Sequence, residues 1–410
     1  MKLKNHPLLI LFIIGICHFL PAQNHFILKK DFDKIEIPFT YVNGLLVIKV
    51  HYNASLYLWF VFDTGAENTI LVHKEIAAVL DLKYLRQFRI LGADLSTELI
   101  AYLTIQNQLE FGELKIINHP VLVLDDDYFN FKEKIGLDIH GILGADIFKR
   151  FIVQINYRNK TITLHNPEKF KLPRRQNYQT IPLEIIKNKP YIKARIDIQK
   201  DTFFTQKRLL LDTGSATSLL LQTNSHKSLA LPRQVIKTPI GFGLGGELQG
   251  YFGRIHDLKI GSYHLGSVPT IFQKLPAAYD DKKLIREGLI GNEVMSHFHV
   301  IIDYISQQLY LAPNKNFDDE FAYDKSGLTL ISGGRGSAFY VSYVVPNSPA
   351  AIAGVQIGDQ IMTINRIPVN FYGLGEVTTK LKKKTGKKIR LRVKRKKEIH
   401  IVTFRLKDLI

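Results

Sequence analysis

The stretch LLLDTGSATSLLL runs from Leu209 to Leu221 and places an aspartate, Asp212, inside an otherwise apolar segment. A carboxylate in such surroundings is costly unless it is hydrogen-bonded or has a function. Thr213 and Gly214 are typical of a tight loop, because threonine supplies a small hydroxyl and glycine lets another backbone come close. The stretch therefore predicts an apolar run that ends in a loop carrying a functional carboxylate.

A second copy of this pattern lies in the first half of the chain. It reads FVFDTGAENTILV and contains the triplet Asp63-Thr64-Gly65. An apolar-apolar-glycine segment, Ile142-Leu143-Gly144, ends 81 residues after Asp63, and Leu289-Ile290-Gly291 ends 79 residues after Asp212. One short motif recurs by chance in long chains, but two copies in matching frames are hard to dismiss.

The match between the two halves extends beyond the triplets. Residues 151–164 (FIVQINYRNKTITL) resemble residues 298–311 (FHVIIDYISQQLYL) at a constant offset of 147, and Ile37-Pro38 resembles Ile181-Pro182. We interpret this as an internal duplication. It predicts two similar lobes that face each other across a cleft, with the two aspartates meeting at a pseudo-twofold axis.

This arrangement resembles the aspartic proteases of the pepsin and retroviral type, over roughly Ile35 to Pro313. In that family each lobe supplies one Asp-Thr/Ser-Gly loop, and an apolar-apolar-glycine segment passes beneath it. The resemblance implies a mainly β fold with a bilobal, pepsin-like double β-barrel, its lobes at residues 35–166 and 179–313. It also implies an aspartic endopeptidase that acts on a peptide or protein substrate without a metal or other cofactor.

Asp63 and Asp212 are the candidate catalytic residues. Two carboxylates a few ångströms apart share one proton, because both cannot ionise cheaply. The charged one can take a proton from water while the protonated one hydrogen-bonds the scissile carbonyl. The pair titrates as a unit, so neither aspartate receives a fixed role from the sequence.

The residues after each aspartate would support the catalytic loops. The resemblance implies that the threonines lock the loops by hydrogen bonding and that the glycines bring backbone N–H groups to the carboxylates. Ser215 can add a hydrogen bond to Asp212, whereas its counterpart Ala66 cannot, so we expect an asymmetric site. The supporting residues are Thr64, Gly65, Thr213, Gly214 and Ser215.

The segment 326–406 has a pattern of its own, and its central part resembles a PDZ domain of bacterial exported proteases. The resemblance implies a PDZ-like, partly open β-barrel with short helices that binds a C-terminal peptide as an added strand. Val377 and Leu381 lie at helical spacing, and either wall the peptide groove or belong to the core. The residues that carry the pattern are Ser348, Pro349, Ala350, Ala353, Gly354, Gly358, Asp359 and Ile361, and the candidate groove residues are Gly327, Leu328, Leu330, Val377 and Leu381.

The glycine-rich stretch Gly241 to Gly246 formally matches a dinucleotide-binding fingerprint. We reject that interpretation because no helical pattern follows, and Glu247 to Ile260 reads as strand and turn. A hairpin over the cleft is the preferred interpretation, with a first-lobe counterpart near Leu91 to Leu95.

The charge distribution limits the classes of partner that this protein is expected to bind. The net charge is +18, and Lys382 to Lys397 holds eleven Lys or Arg and no acid. This run is either a solvated face or a surface that attracts anionic partners or membrane. We expect no nucleic-acid partner, and membrane contact stays open. The alternative to an enzyme is an inactive exported adaptor that only binds peptides.

The N-terminus predicts export. Lys2 and Lys4 precede an apolar run from Leu8 to Leu20, which fits a signal peptide at residues 1–22 and is short for a membrane span. The alternative is an uncleaved anchor. Cleavage after Ala22 would remove Cys17, the only cysteine, and so exclude disulfides and cysteine catalysis.

We therefore predict a periplasmic or secreted protein whose mature chain begins at Gln23. An intact-mass measurement on protein from its native envelope fraction checks this. A mature species that retains Cys17, or that carries lipid mass, would show a membrane-anchored protein instead.

Overall fold

The computed structural model describes residues 25–28, 31–92, 98–200, 205–243, 246–274, 286–333 and 338–410. The predicted signal peptide lies outside these residues. Within them, no helix is long and apolar enough to cross a membrane.

Strands dominate the described chain, and the helices are short. The first half contains β1 (His25–Ile27), β2 (Lys34–Pro38), β3 (Thr40–Val42), β4 (Leu45–Tyr52), β5 (Leu56–Phe62), β6 (Ile70–Leu71), α1 (Lys74–Val79), β7 (Arg86–Leu91), β8 (Glu98–Phe111), β9 (Leu114–Leu124), α2 (Phe131–Ile135), β10 (Gly141–Leu143), α3 (Ala145–Phe148), β11 (Ile152–Asn156) and β12 (Thr161–His165).

The second half follows the same succession of elements. It contains β13 (Gln179–Pro182), β14 (Glu184–Ile186), β15 (Lys189–Asp197), β16 (Thr205–Leu211), β17 (Leu219–Gln222), a 3₁₀ turn (Lys227–Leu229), β18 (Val235–Gly243), β19 (Gly246–Ile260), β20 (Tyr263–Gln273), β21 (Gly288–Ile290), α4 (Asn292–Met295), β22 (Phe298–Asp303) and β23 (Gln308–Pro313).

The C-terminal segment forms a separate sheet with two helices. Its elements are β24 (Leu328–Ser332), β25 (Phe339–Val344), α5 (Pro349–Ile352), β26 (Gln360–Ile364), β27 (Ile367–Pro368), a 3₁₀ turn (Val369–Phe371), α6 (Leu374–Leu381), β28 (Lys388–Arg395) and β29 (Glu398–Arg405). Buried Asp359 anchors this segment, because its carboxylate accepts two hydrogen bonds of 2.8 Å from the Arg395 guanidinium.

Each of the two lobes closes one sheet into a ring of the same order. The first ring runs β4-β5-β10-β6-β9-β8 and closes through the β8–β9 pairing. The second runs β15-β16-β21-β17-β20-β19 and closes through β15–β19. Closure leaves no free edge within either ring. The predicted mainly β, double-barrel fold is confirmed, while the duplication of the sequence stays an inference.

A third sheet joins the two halves, and the sequence did not predict it. Its order is β13-β23-β22-β11-β12-β2, so three strands from each half meet at the antiparallel β11–β22 pair. Val153 lies opposite Ile302 and Ile155 opposite Val300, all four of them buried. The two lobes therefore share a continuous backbone ladder and a continuous core.

Local predictions agree with the structure in most places. Leu45–Tyr52 and Leu56–Phe62 are rich in β-branched and aromatic residues, which predicts strands, and they form β4 and β5 with most of their side chains buried. The glycine-rich stretch lies in the β18–β19 hairpin, with Gly243 paired to Gly246, as expected from the missing helix signal.

The polar composition of Asn314 to Lys325 predicts a linker, but the segment packs on the second lobe. Phe317 and Phe321 pack on the catalytic core, and the Tyr323 ring lies 5.7 Å from the Phe252 ring. The segment is polar on average, but its aromatic residues attach it to the second lobe.

Gly141 and Gly288, the first residues of β10 and β21, lie where a neighbouring strand leaves no room for a side chain. An ideal Cβ on Gly141 would lie 2.5 Å from the Ile70 carbonyl oxygen, and one on Gly288 would lie 2.2 Å from that of Leu220. Backbone oxygen cannot move aside without shifting a strand, so glycine is required on steric grounds at both positions.

We predict that Gly141→Ala and Gly288→Ala each lower the free energy of unfolding by about 1–3 kcal/mol, the usual cost of overpacking. Gly266→Ala in β20 is the matched control, because its Cβ would meet no atom nearer than 3.9 Å. Thermal or denaturant unfolding of the three variants measures this. Equal stability of all three would contradict the steric explanation.

Candidate active site

Parallel strand pairs place the two aspartates at equivalent points of the lobes. Asp63 follows β5 and its N–H donates to the Leu143 carbonyl of β10 at 3.0 Å. Asp212 follows β16 and donates in the same way to Ile290 of β21 at 3.0 Å. The predicted apolar-apolar-glycine segments thus hold the end of each aspartate-bearing strand.

The threonines exchange hydrogen bonds between the lobes. The Thr64 N–H donates to Thr213 Oγ1 at 2.9 Å, and the Thr213 N–H donates to Thr64 Oγ1 at 3.1 Å. Each hydroxyl then donates across the interface to a strand end, Thr64 to the Leu211 carbonyl at 2.7 Å and Thr213 to that of Phe62 at 2.8 Å. Both side chains are fully buried, so the two catalytic loops are fixed to each other.

The glycines of the triplets face the aspartate of the opposite lobe. An ideal Cβ on Gly65 would lie 2.6 Å from the Asp212 carboxyl carbon, and one on Gly214 would lie 2.3 Å from that of Asp63. Each glycine N–H donates to the aspartate of its own loop, at 2.7 Å for Gly65 and 3.0 Å for Gly214. Only a residue without a side chain lets the two carboxyl groups approach each other.

The two carboxyl groups hydrogen-bond each other and titrate as a pair. Burial raises the pKa of both aspartates, and the charge of Asp212 raises the pKa of Asp63 further. The positive charge of Arg286 opposes the effect of burial on the pKa of Asp212, and Lys189 adds to that opposition. Such a pair holds one proton over a wide pH range.

The prediction that Ser215 hydrogen-bonds Asp212 is wrong. Its hydroxyl lies 2.8 Å from Thr217 Oγ1, because the two side chains share a local turn, and so it does not add a bond to Asp212. The extra hydrogen bond falls on the other aspartate, since the Ala66 N–H donates to Asp63 Oδ1 at 3.1 Å. The site is asymmetric, as expected, but the backbone makes it so.

Asn292 is a site residue that the sequence did not reveal. It is fully buried, and its amide donates to the Thr213 carbonyl at 2.7 Å and to the Gly44 carbonyl at 2.8 Å. Its side-chain oxygen accepts from the Tyr157 hydroxyl at 2.7 Å. Asn292 therefore ties the second catalytic loop to a turn of the first lobe. The only sequence signal is its position directly after Gly291.

The equivalent position in the first lobe is Ala145, which cannot make these bonds. The hydroxyl of Tyr304, the counterpart of Tyr157, is buried and has no hydrogen-bond partner within the described residues. The twofold relation of the lobes is thus broken directly beneath the aspartates.

The Gly44 turn, between β3 and β4, comes close to the second catalytic loop. Gly44 has a φ of +84°, and an ideal Cβ would lie 2.7 Å from the Ala216 Cβ. A side chain at this position would push the turn away from the loop, so glycine is needed both for conformation and for space.

The candidate PDZ groove residues divide into two groups. Leu328, Val377 and Leu381 pack in the core of the C-terminal segment, which favours the core interpretation of the helical spacing. Leu330 is half-buried beside that core. The Gly327 N–H donates to Asp324 Oδ1 at 2.7 Å and is therefore already satisfied within the chain.

Across the described ranges, no group of three or more His, Cys, Asp or Glu side chains could hold a metal ion. The acidic triplet at residues 125–127 instead organises its own turn. Asp127 accepts hydrogen bonds from the N–H groups of Phe129 and Asn130.

Comparison with known proteins agrees with this geometry. Residues 48–147 match the family model for aspartyl proteases, and residues 340–395 match that for PDZ domains. The chain therefore carries an aspartyl protease domain followed by a C-terminal PDZ domain. No curated protein matches it.

Solved structures with similar folds include an aspartic proteinase from Irpex lacteus, at 12% identity and a TM-score of 0.45, with 70% of this chain and 99% of that chain covered. Basic 7S globulin from soybean is similar at 10% identity and a TM-score of 0.43, with 69% of this chain and 95% of that chain covered.

Proposed function

We propose that this chain, with its aspartyl protease and PDZ domains, is an endopeptidase that hydrolyses peptide bonds with a water molecule activated by Asp63 and Asp212. The observation that carries the proposal is the hydrogen-bonded carboxyl pair, raised in pKa by burial and held by loops that are locked across the lobe interface. A peptide-binding protein without activity would not need two carboxylates in such costly contact.

The reaction needs one proton on the pair. The ionised aspartate takes a proton from water, and the resulting oxygen attacks the scissile carbonyl carbon while the protonated aspartate hydrogen-bonds the carbonyl oxygen. Proton transfer to the amide nitrogen then lets the C–N bond break, and no covalent intermediate with the enzyme forms. Holding both groups in place beforehand supplies much of the rate increase.

The surrounding charges favour Asp212 as the ionised member in the free enzyme. Arg286 lies two residues before β21, and Lys189 begins β15, and the charges of both stabilise the Asp212 carboxylate. The charge that acts on Asp63 is that of the Asp212 carboxylate, which raises the pKa of Asp63 and disfavours its ionisation. We assign the role of general base to Asp212 on this ground.

The substrate class is a peptide or protein that enters the cleft in extended form, and we propose that the PDZ domain recruits or positions it. Recruitment beside the cleft would raise the effective concentration of a substrate without changing the chemical step. The basic run from Lys382 would favour acidic ligands, and more strongly at low salt.

We predict that Asp63→Asn and Asp212→Asn each lower kcat for hydrolysis of a denatured protein by about 10²–10⁴-fold or more, because either change destroys the shared-proton pair. The double variant should be scarcely worse than either single one, since the two groups act as a unit. Asp126→Asn, on the exposed acidic turn, is the matched control.

The assay is release of peptides across a pH range, with unfolding curves to show that each variant is folded. Substantial turnover by a folded single variant would rule the mechanism out. An inactive wild-type chain that still binds peptides would identify the adaptor instead.

A second prediction follows from the charges near Asp212. Removing the Arg286 charge as Arg286→Gln should raise the pKa of Asp212, so the ionised form is lost at a higher pH as the solution is acidified. The acidic limb of kcat against pH should therefore move to higher pH. Lys187→Gln, an exposed cation on the adjacent turn, should leave the limb in place. An unchanged limb in Arg286→Gln would contradict the assignment of Asp212 as the base.

A further inference from the structure

The PDZ domain has one strand edge suited to an added peptide. β24 is the terminal strand of its sheet and pairs only with β25 among the described strands. α6 packs beside β24, so the strand and the helix form the two walls of a groove. A peptide bound as an extra strand would run about 4.8 Å from β24, between it and the helix.

A segment of the first lobe already lies at this groove. α2 packs against β24, and the residue that ends it, Gly136, sits so close to α6 that an ideal Cβ would lie 3.1 Å from the Leu374 Cβ. The segment 130–136 therefore touches both walls. An added strand would therefore compete with this segment of the first lobe for contact with β24 and α6.

The contact is fixed by a side chain next to the active site. Asn43 donates from its amide to the Ile135 carbonyl at 2.9 Å, which holds the end of α2. The same side chain packs against α6, where an ideal Cβ on Gly375 would lie 2.3 Å from Asn43 Oδ1. A Cβ at position 375 would therefore force the Asn43 side chain to move, whereas within the helix itself alanine would be favourable.

The loop that would receive a terminal carboxylate is also satisfied internally. Asp324 Oδ1 accepts from the Ser326 N–H at 2.9 Å and from the Gly327 N–H at 2.7 Å, and the Leu328 N–H donates to Ser326 Oγ at 3.2 Å. A ligand carboxylate would have to displace Asp324 from these donors. Both features of a peptide site, the strand edge and the carboxylate loop, are therefore engaged within the chain.

We propose that the first-lobe segment 130–136 is the resident occupant of the PDZ groove, so that binding of an extended peptide and docking of the PDZ domain on the first lobe exclude each other. The proposal rests on the PDZ domain being a peptide-binding module, as in the function proposed above. It adds that a peptide gains access only when α2 and Asn43 release β24 and α6.

Undocking of the PDZ domain would affect the second aspartate loop through a short series of contacts. Asn43 is adjacent to Gly44, whose carbonyl accepts from Asn292, and Asn292 also holds the Thr213 carbonyl. A peptide that undocks the PDZ domain thereby removes a restraint from the turn that packs on the second catalytic loop.

The test uses the full chain carrying Asp63→Asn, which prevents cleavage, so the result does not depend on hydrolytic activity. Gly375→Ala is the undocking variant, because its Cβ forces Asn43 away from Ile135. Gly373→Ala is the matched control on the same helix end, where an ideal Cβ meets no atom nearer than 3.9 Å. Asn43→Gly removes the same contact from the other side and keeps the backbone at its φ of +49°.

Two measurements are made on each folded variant. Hydrogen exchange should become at least tenfold faster in both 131–136 and 328–332 in Gly375→Ala and Asn43→Gly, and in neither segment in Gly373→Ala. A fluorescein-labelled peptide with the sequence of residues 128–138 (YFNFKEKIGLD) should bind at least tenfold more tightly to the two undocked variants than to the control.

Equal exchange and equal peptide binding across the variants would overturn the proposal. So would faster exchange in only one of the two segments, because the occupant and the groove must open together. If the chain proves inactive as a protease but shows the paired response, the proposed hydrolysis fails and the groove assignment stands.

Discussion

The exchange of hydrogen bonds between Thr64 and Thr213 is the constraint on which the rest of the site depends. Each threonine uses its N–H and its hydroxyl to reach the other lobe, and both side chains are fully buried. Breaking one of these bonds would leave buried donors or acceptors unsatisfied, at about 1–3 kcal/mol each. The two loops therefore stay together, and this fixes the distance between the carboxyl groups of Asp63 and Asp212. The shared β11–β22 ladder supplies the same restraint at the level of the backbone.

Much of this could be predicted from sequence, because the decisive residues occur twice in the same frame. The aspartates, threonines and glycines of the triplets, and the apolar segments beside them, lie where the repeated motif predicted. The role of Ser215 could not be predicted, since competition from Thr217 depends on the shape of the turn. Asn292 could not be identified from the sequence because the two halves differ at this position. The equivalent residue of the first lobe is Ala145, so no repeated motif marks Asn292.

The position of the PDZ domain could not be predicted either. The residues that fix it, such as Asn43 and Gly375, form single contacts between distant parts of the chain and follow no period. The helical spacing of Val377 and Leu381 indicated a face of α6 correctly, but both side chains face the core of their own domain. The family pattern thus identified the PDZ domain, whereas only the structure shows which of its surfaces contacts the first lobe.

The docking of the C-terminal domain also has a mechanical consequence for the cleft. The threonines fix the two aspartate loops to each other, so any relative movement of the lobes has to occur away from these loops. The C-terminal domain contacts the β18–β19 hairpin of the second lobe, where the Tyr343 hydroxyl donates to the Lys237 carbonyl at 3.5 Å. The same domain also contacts the first lobe, where Leu374 and Gly375 lie against Gly136 and Asn43. The C-terminal domain therefore bridges the two lobes, so a change in the distance between them would have to break or rearrange one of these contacts.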